Sequence, residues 1–196
     1  MTKDLITRLN EGPVLCAEGY LFAMERRGYL QAGAFVPEVV LERPEVVTQL
    51  HREFIRAGSD VVQAFTYYGH REKLRIIGKE NLLEPLQKNA LKIAKDARDE
   101  FKDLNLLVAG NVANTNVYDP NDKKSNIECQ KMFEEQVGWA KDAGVDFIIA
   151  EIPRFALCPT SSTLLIFDLF IFSIRDTFLF NGINLSNYYT DPNKVR

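Results

Sequence analysis

The sequence predicts an α/β fold built around a parallel sheet. Four short apolar runs occur along the chain, at residues 14–16, 61–65, 106–109 and 147–150. They lack the polar–apolar alternation of a half-exposed strand, and a segment with helical spacing separates each run from the next. This order indicates strands buried on both faces with helical crossovers. A flavodoxin-like sheet and part of a (βα)8 barrel both fit the pattern.

The first long crossover helix has clear start and stop signals. Pro44 occupies a favoured first-turn position, and Val47, Leu50 and Phe54 follow at helical spacing. Gly58 ends the pattern. The segment therefore predicts a helix that packs one apolar face against the sheet.

Two further helices follow the same logic. One covers roughly residues 82–101, and the strand after it is expected to end at Gly110. Ser125 and Glu128 have the spacing of a capping box, which predicts the start of the last helix. That helix is expected to stop near Gly144.

Composition separates the chain into two parts. Charged residues number 44 of 153 up to residue 153 and 7 of 43 beyond it, where 8 of 43 residues are aromatic. The apolar run 164–180 contains Asp168, Arg175 and Asp176, which argues against a membrane-spanning helix. A partly buried helix or strand pair, or a sequence not selected to fold with the rest, such as an alternative splice end or a shifted reading frame, remain open.

Charge and cysteine content exclude several classes of protein. The net charge of −3 and the pI near 5.5 argue against binding to nucleic acid. Residues 1–13 lack the apolar region of a signal peptide, so we expect a cytoplasmic protein with reduced cysteines. Cys16, Cys129 and Cys158 stand apart, without the spacing of a zinc finger or a disulfide framework.

Candidate binding residues follow the predicted strands. Ligands of parallel α/β sheets sit at the carboxyl ends of the strands. Glu18 and Gly19 follow the first strand, Gln63 lies in the second, and Glu151 ends the fourth. Two carboxylates at one edge suit recognition of an ammonium group or acid–base chemistry. The alternative is that both are ordinary acidic residues facing solvent.

Aromatic residues cluster near the same predicted edge. Tyr67, Tyr68 and Phe35 could form a wall that holds a quaternary ammonium group by cation–π attraction, although such residues also serve as core packing. The histidines, His51 on a helix and His70 in a loop, have no partner at metal-ligand spacing. Surface positions are expected for both.

Three sequence stretches carry a family resemblance. RRGYLQAG, PEVVTQLHREFIRAGS and QAFTYY occur in this order, followed by LLVAGNVANTNVY and VDFIIAEI. Residues 11–152 thereby resemble the N-terminal part of the betaine-using homocysteine S-methyltransferases. The resemblance implies a (βα)8 barrel of which about the first four βα units are present. Residues 153–196 are then a divergent, aromatic-rich tail outside the barrel.

The resemblance also implies a reaction. Family members transfer a methyl group from betaine to the sulfur of homocysteine, and zinc held by three cysteines keeps that sulfur a thiolate. The family's zinc cysteines lie in later segments, and none of the cysteines here matches them. We therefore expect the chain to lack the zinc site and to be inactive as it stands. The alternative is a non-catalytic fragment that binds homocysteine or betaine, or pairs with a full-length subunit or a second copy.

The resemblance assigns homocysteine-binding roles to four residues. Glu18 falls where the family has an aspartate that binds the homocysteine amino group, and Glu151 matches a second carboxylate for that group. Gly19 matches a glycine of the adjoining turn. Gln63 matches a residue near homocysteine. No catalytic residue and no metal ligand is identified in this chain.

The resemblance places three aromatic residues at the betaine site. Phe35 stands where the family has a tryptophan, and Tyr67 and Tyr68 match an aromatic pair, with Tyr68 at the betaine-contacting position. Ile152 replaces an aromatic residue that helps to close the site. This departure leaves S-methylmethionine or another methylated donor open.

Overall fold

Three parallel strands and one antiparallel strand form the sheet, in the spatial order in which they occur along the chain. The computed structural model describes residues 3–30, 37–119, 121–151 and 169–173, with Glu151 and the last five through their backbone alone. The strands are β1 (Val61–Gln63), β2 (Leu107–Ala113), β3 (Phe147–Glu151) and β4 (Leu169–Ser173). β1, β2 and β3 pair in parallel, which confirms the predicted α/β class, and β4 pairs antiparallel with β3.

The first predicted strand is reduced to a single parallel bridge, between Cys16 and Val61. The Val61 N–H donates to the Leu15 carbonyl at 3.1 Å, and the Ala17 N–H donates to the Val61 carbonyl at 3.2 Å. The chain then turns away, because Gly19 adopts φ +79° and begins a helix. Residues 14–17 therefore lie beside β1 without extending to its carboxyl end.

Helices cover the described segments between the strands. Their bounds are α1 (Leu5–Glu11), α2 (Tyr20–Arg26), α3 (Val39–Glu42), α4 (Pro44–Arg56), α5 (Arg71–Ile76), α6 (Leu83–Asp99) and α7 (Lys123–Ala143), with short 310 turns at Glu80–Leu82 and Lys102–Leu104. The predicted start at Pro44 is confirmed. Gly58 and Gly144 follow α4 and α7 with φ of +102° and +70°, as expected for glycines that end helices.

The predicted capping box at Ser125 and Glu128 is wrong. α7 begins at Lys123, and the Asp122 carboxylate caps it by accepting from the Lys124 N–H at 2.9 Å. Ser125 lies inside the first turn, where its hydroxyl contacts the carbonyl of Asp122 at 2.8 Å. Asp122 and Ser125 are both favoured N-cap residues, and the sequence pattern alone does not show which of them caps the helix.

β2 continues through Gly110, where the sequence predicted its end, and runs three residues further. A β-carbon at Gly110 would lie 2.6 Å from Ile148 Cδ1 and 3.0 Å from Ala140 Cβ. Glycine is therefore required here because α7 approaches the sheet closely, and it does not mark a turn.

The sheet has two differently covered faces. One face packs against α6 and α7 through a cluster that includes Val62, Val108 and Ile148. Alternate residues build the other face, where the buried cluster contains the following side chains: Leu5 of α1, Val61, Leu107, Ala109, Phe147 and Ile149. Because side chains alternate along a strand, Gln63 shares the second face with Val61.

Little of the tail lies among the described residues. Residues 169–173 form β4 beside β3, and the rest of 153–196 is outside the described part of the chain. The assignment of the tail to a segment outside the barrel stays a prediction. Across the helices that the structure describes, none has both the length and the apolar character of a transmembrane span.

Candidate functional site

Gln63 lies at the carboxyl end of β1 and is buried, with 3% of its surface exposed. It pairs in register with Ala109 of β2, and Ala109 in turn pairs with Phe147 of β3. Asn111, two residues further along β2, is also buried and falls on the same face of the sheet. The face that α6 and α7 leave uncovered thus carries two amide side chains at its carboxyl edge.

The residues that follow β1 stay hydrogen-bonded to β2. The Ala64 N–H donates to the Ala109 carbonyl at 2.8 Å, and the Thr66 hydroxyl donates to the Asn111 carbonyl at 2.7 Å. The backbone of Glu151 pairs with Ala113, two residues beyond Asn111. Residues 67 and 68 follow Thr66 directly, so they lie close to this edge of the sheet.

Tyr67 and Tyr68 form an aromatic pair at this edge. Their ring centroids are 4.3 Å apart with a 47° angle between the planes, and both side chains are partly exposed. Tyr68 adopts φ +58°, a conformation that non-glycine residues rarely take. The turn is closed by the Gly69 N–H, which donates to the Thr66 carbonyl at 2.7 Å. Tyr67 also packs against the hydrophobic core, so part of its ring surface has the structural role that the sequence left open as an alternative to ligand binding.

Glu18 lies in the extended segment before α2, and its side chain is exposed. The pKa of the nearby Cys16 thiol is raised to about 11, mainly by burial. The negative charges of Glu18 and Asp60 raise it further. The thiol is therefore protonated at neutral pH. Gly19 adopts the positive φ angle that precedes α2. A β-carbon at this position would meet no neighbouring atom within 4 Å.

Buried hydrogen bonds connect His51, Tyr20 and the backbone of Gln63. The Tyr20 hydroxyl lies 2.9 Å from His51 Nδ1 and also contacts the backbone of Gln63. Burial raises the pKa of Tyr20, so its hydroxyl keeps its proton at neutral pH. The tyrosine thus provides the oxygen that a longer first strand would have offered to the Gln63 N–H. Sequence reasoning missed this role, because Tyr20 gives no signal beyond an aromatic residue after a glycine.

The expected surface positions of the two histidines are wrong. His51 is fully buried in α4, and burial lowers its pKa to about 3. His70 caps the start of α5 and is 1% exposed. Its pKa is lowered to about 4 by burial, with a further contribution from the charge of Lys73. Both imidazoles are therefore neutral at pH 7.

The described cysteines do not fit a three-thiolate metal site. Cys129 is buried on α7, and its sulfur contacts the Thr115 hydroxyl at 3.0 Å. Cys16 is a protonated thiol beside β1. Within residues 3–30, 37–119 and 121–150, no three His, Cys, Asp or Glu side chains are placed to hold a metal ion. Cys158, Phe35 and Ile152 lie outside the described residues.

A depression of about 470 Å³ lies at the opposite end of the strands, next to the residues that precede β1 and β2. Two cations line it, and both have partners. Lys3 pairs with Glu11 at 2.6 Å, and Arg8 donates to the carbonyl of Asn105. None of Glu18, Gln63, Tyr67 and Tyr68 lines this depression.

Comparison with known proteins decides the family. Residues 19–156 match the family model described as homocysteine S-methyltransferase. The chain belongs to the homocysteine S-methyltransferase family. This match begins one residue after Glu18 and includes Gln63, Tyr68 and Glu151. It does not test the predicted role of any of these four residues.

Individual members of the homocysteine S-methyltransferase family share sequence and fold with this chain. It is 40% identical over 154 residues to betaine–homocysteine S-methyltransferase 1 of Mus musculus, covering 76% of this chain and 37% of that protein. The Danio rerio protein of the same name is 40% identical over 152 residues, with the same coverage. The metallated homocysteine methyltransferase MmuM of Escherichia coli superimposes with a TM-score of 0.62 at 24% identity, covering 75% of this chain and 56% of that one. The chain thus spans little more than a third of the length of these two curated relatives.

Proposed function

We propose that this chain carries the homocysteine and methyl-donor contacts of a homocysteine S-methyltransferase, and that the 196-residue polypeptide by itself transfers little or no methyl group. The observation that carries the proposal is the carboxyl edge of the parallel strands. There, Gln63 ends β1 and the Tyr67–Tyr68 pair follows it, within the residues 19–156 that match the family.

Each candidate residue has a chemical task in the proposal. Glu18 and Glu151 bind the ammonium group of homocysteine, because carboxylates form strong charge-assisted hydrogen bonds with ammonium. Gln63 offers its amide to the same ligand. The aromatic faces of Tyr67 and Tyr68 hold the positive charge of the methyl donor by cation–π attraction. Betaine is the donor that the curated relatives' name supports.

The methyl transfer itself requires a thiolate nucleophile. A free thiol has a pKa of about 8.5, so homocysteine is mostly protonated at pH 7. The family resemblance assigns deprotonation to zinc, and the described cysteines of this chain do not fit that site. Binding without turnover is the behaviour that follows.

Calorimetric titration of homocysteine into the 196-residue chain tests the binding part. We expect weak, saturable binding, and Gln63→Met should weaken it at least about threefold because a hydrogen-bonding amide is lost. Gln130→Met, on the exposed side of α7, is the matched control and should bind as the parent chain does. Absence of any saturable heat with millimolar homocysteine would refute the proposal.

A second role, as a non-catalytic partner of a full-length subunit, is favoured by one observation. Residues 14–16 bridge to β1 at a single position, and the Leu15 side chain beside that bridge is 58% exposed. Exposed strand edges are templates for pairing with another chain. Co-expression with a full-length family member should then yield a complex, and separate elution of the two chains at high expression would count against it.

A further inference from the structure

Lys73 places a positive charge on the aromatic pair. It lies in the first turn of α5, and its Nζ is 4.1 Å from the centroid of the Tyr68 ring. Tyr68 in turn contacts Tyr67. The ring that the proposed function offers to a cationic methyl donor therefore already has an ammonium group beside it.

The charges next to Lys73 are neutralised by other partners. The Glu72 carboxylate pairs with Arg75 through two hydrogen bonds of 2.7 and 2.8 Å. Arg71 pairs with Glu135 of α7. Within the described part of the chain, Lys73 has no ion-pair partner, and it is only partly exposed. A ligand carboxylate arriving at Tyr68 would thus find an ammonium group that needs a counter-charge.

We propose that Lys73 selects methyl donors that carry a carboxylate together with their onium group. The inference rests on the proposed function and adds a specificity-determining residue to that site. A donor with only a positive charge must share Tyr68 with a like charge, which disfavours binding. A zwitterionic donor places its carboxylate on Lys73 while its onium group uses the aromatic face, so both charges are compensated. Onium carboxylates are therefore accepted, and simple onium cations are rejected.

A merely structural lysine would behave differently. If Lys73 only covered Tyr68, its removal would change the binding of every cationic ligand in the same direction. A selector changes the two classes of ligand in opposite directions. Opposite signs are therefore the signature that distinguishes the two roles.

Calorimetric titration with two probes provides the test. The probes are glycine betaine and the tetramethylammonium ion, which share the quaternary ammonium group and differ in the carboxylate. The parent chain should prefer glycine betaine. Lys73→Met should weaken glycine betaine binding about fivefold, and strengthen tetramethylammonium binding about threefold. Lys73→Arg should retain the preference, because it retains the charge.

Lys88→Met is the matched control, since it removes the same charge from an exposed position on α6 and should leave both affinities unchanged. If both probes bind the parent chain and Lys73→Met changes them in parallel or not at all, the selector role is overturned while the donor site stands. If neither probe binds the parent chain, the donor part of the proposed function and the selector role fall together. Circular dichroism of each variant verifies that it is folded.

Discussion

Lowering the pH from 7 to 5 is expected to remove about 4 kcal/mol from the free energy of unfolding of this chain. The cause is the pair of buried histidines, whose pKa values are lowered from an ordinary 6.5 to about 3 for His51 and about 4 for His70. Between the folded and unfolded pKa values, the unfolded chain binds more protons than the folded chain. Stability is therefore full above pH 6.5 and falls as the pH drops towards 4.

Carboxylates contribute little in this window. The pKa values of Glu53, Glu72 and Glu100 are lowered by hydrogen bonds to arginines, so their protonation affects stability mainly below pH 5. Urea unfolding at pH 7, 6 and 5 measures the effect. His51→Gln retains a hydrogen-bonding group beside Tyr20 and does not titrate, so it should halve the loss to about 2 kcal/mol. An unchanged pH dependence in this variant would contradict the assignment to His51.

Gly110→Ala is expected to destabilise the chain by about 2–3 kcal/mol. The new β-carbon would lie 3.0 Å from Ala140 Cβ and 2.6 Å from the end of the Ile148 side chain. Ile148 is 1% exposed and Ala140 has no rotamer to change, so α7 must move away from the sheet. The midpoint of urea unfolding reports the change.

Gly138→Ala is the matched control, because it makes the same substitution on α7 where no atom lies within 4 Å of the new β-carbon. Alanine favours a helix interior over glycine, so this variant should gain about 0.5–1 kcal/mol. Opposite signs for the two substitutions are expected. A neutral Gly110→Ala variant would show that the contact between α7 and the sheet is looser than the structure has it.

Hydrophobic periodicity was sufficient to predict the sheet class and the crossover helices. Pro44, Gly58 and Gly144 mark helix ends because their backbone preferences are local properties. Gly110 misled the prediction, since its role depends on how closely α7 packs, which no local pattern contains. The family resemblance was needed to choose the barrel superfamily over a flavodoxin-like sheet.

The candidate site was predicted in part. The ends of the strands identified Gln63 and the aromatic pair as neighbours of one edge, and the structure brings Tyr67 and Tyr68 into contact. Lys73 was missed because it follows Tyr68 by five residues across a turn, and no periodic pattern connects them. His51 was wrongly predicted at the surface, because a polar side chain on a helix is expected to face solvent unless it has a buried partner. That partner, Tyr20, is not evident from the sequence.

A methyltransferase assay on the purified 196-residue chain, with homocysteine, betaine and added zinc, distinguishes binding without turnover from catalysis. We expect methionine formation no greater than in the reaction without protein, even where titration shows that the ligands bind. Turnover near that of a full-length family member assayed alongside would contradict it.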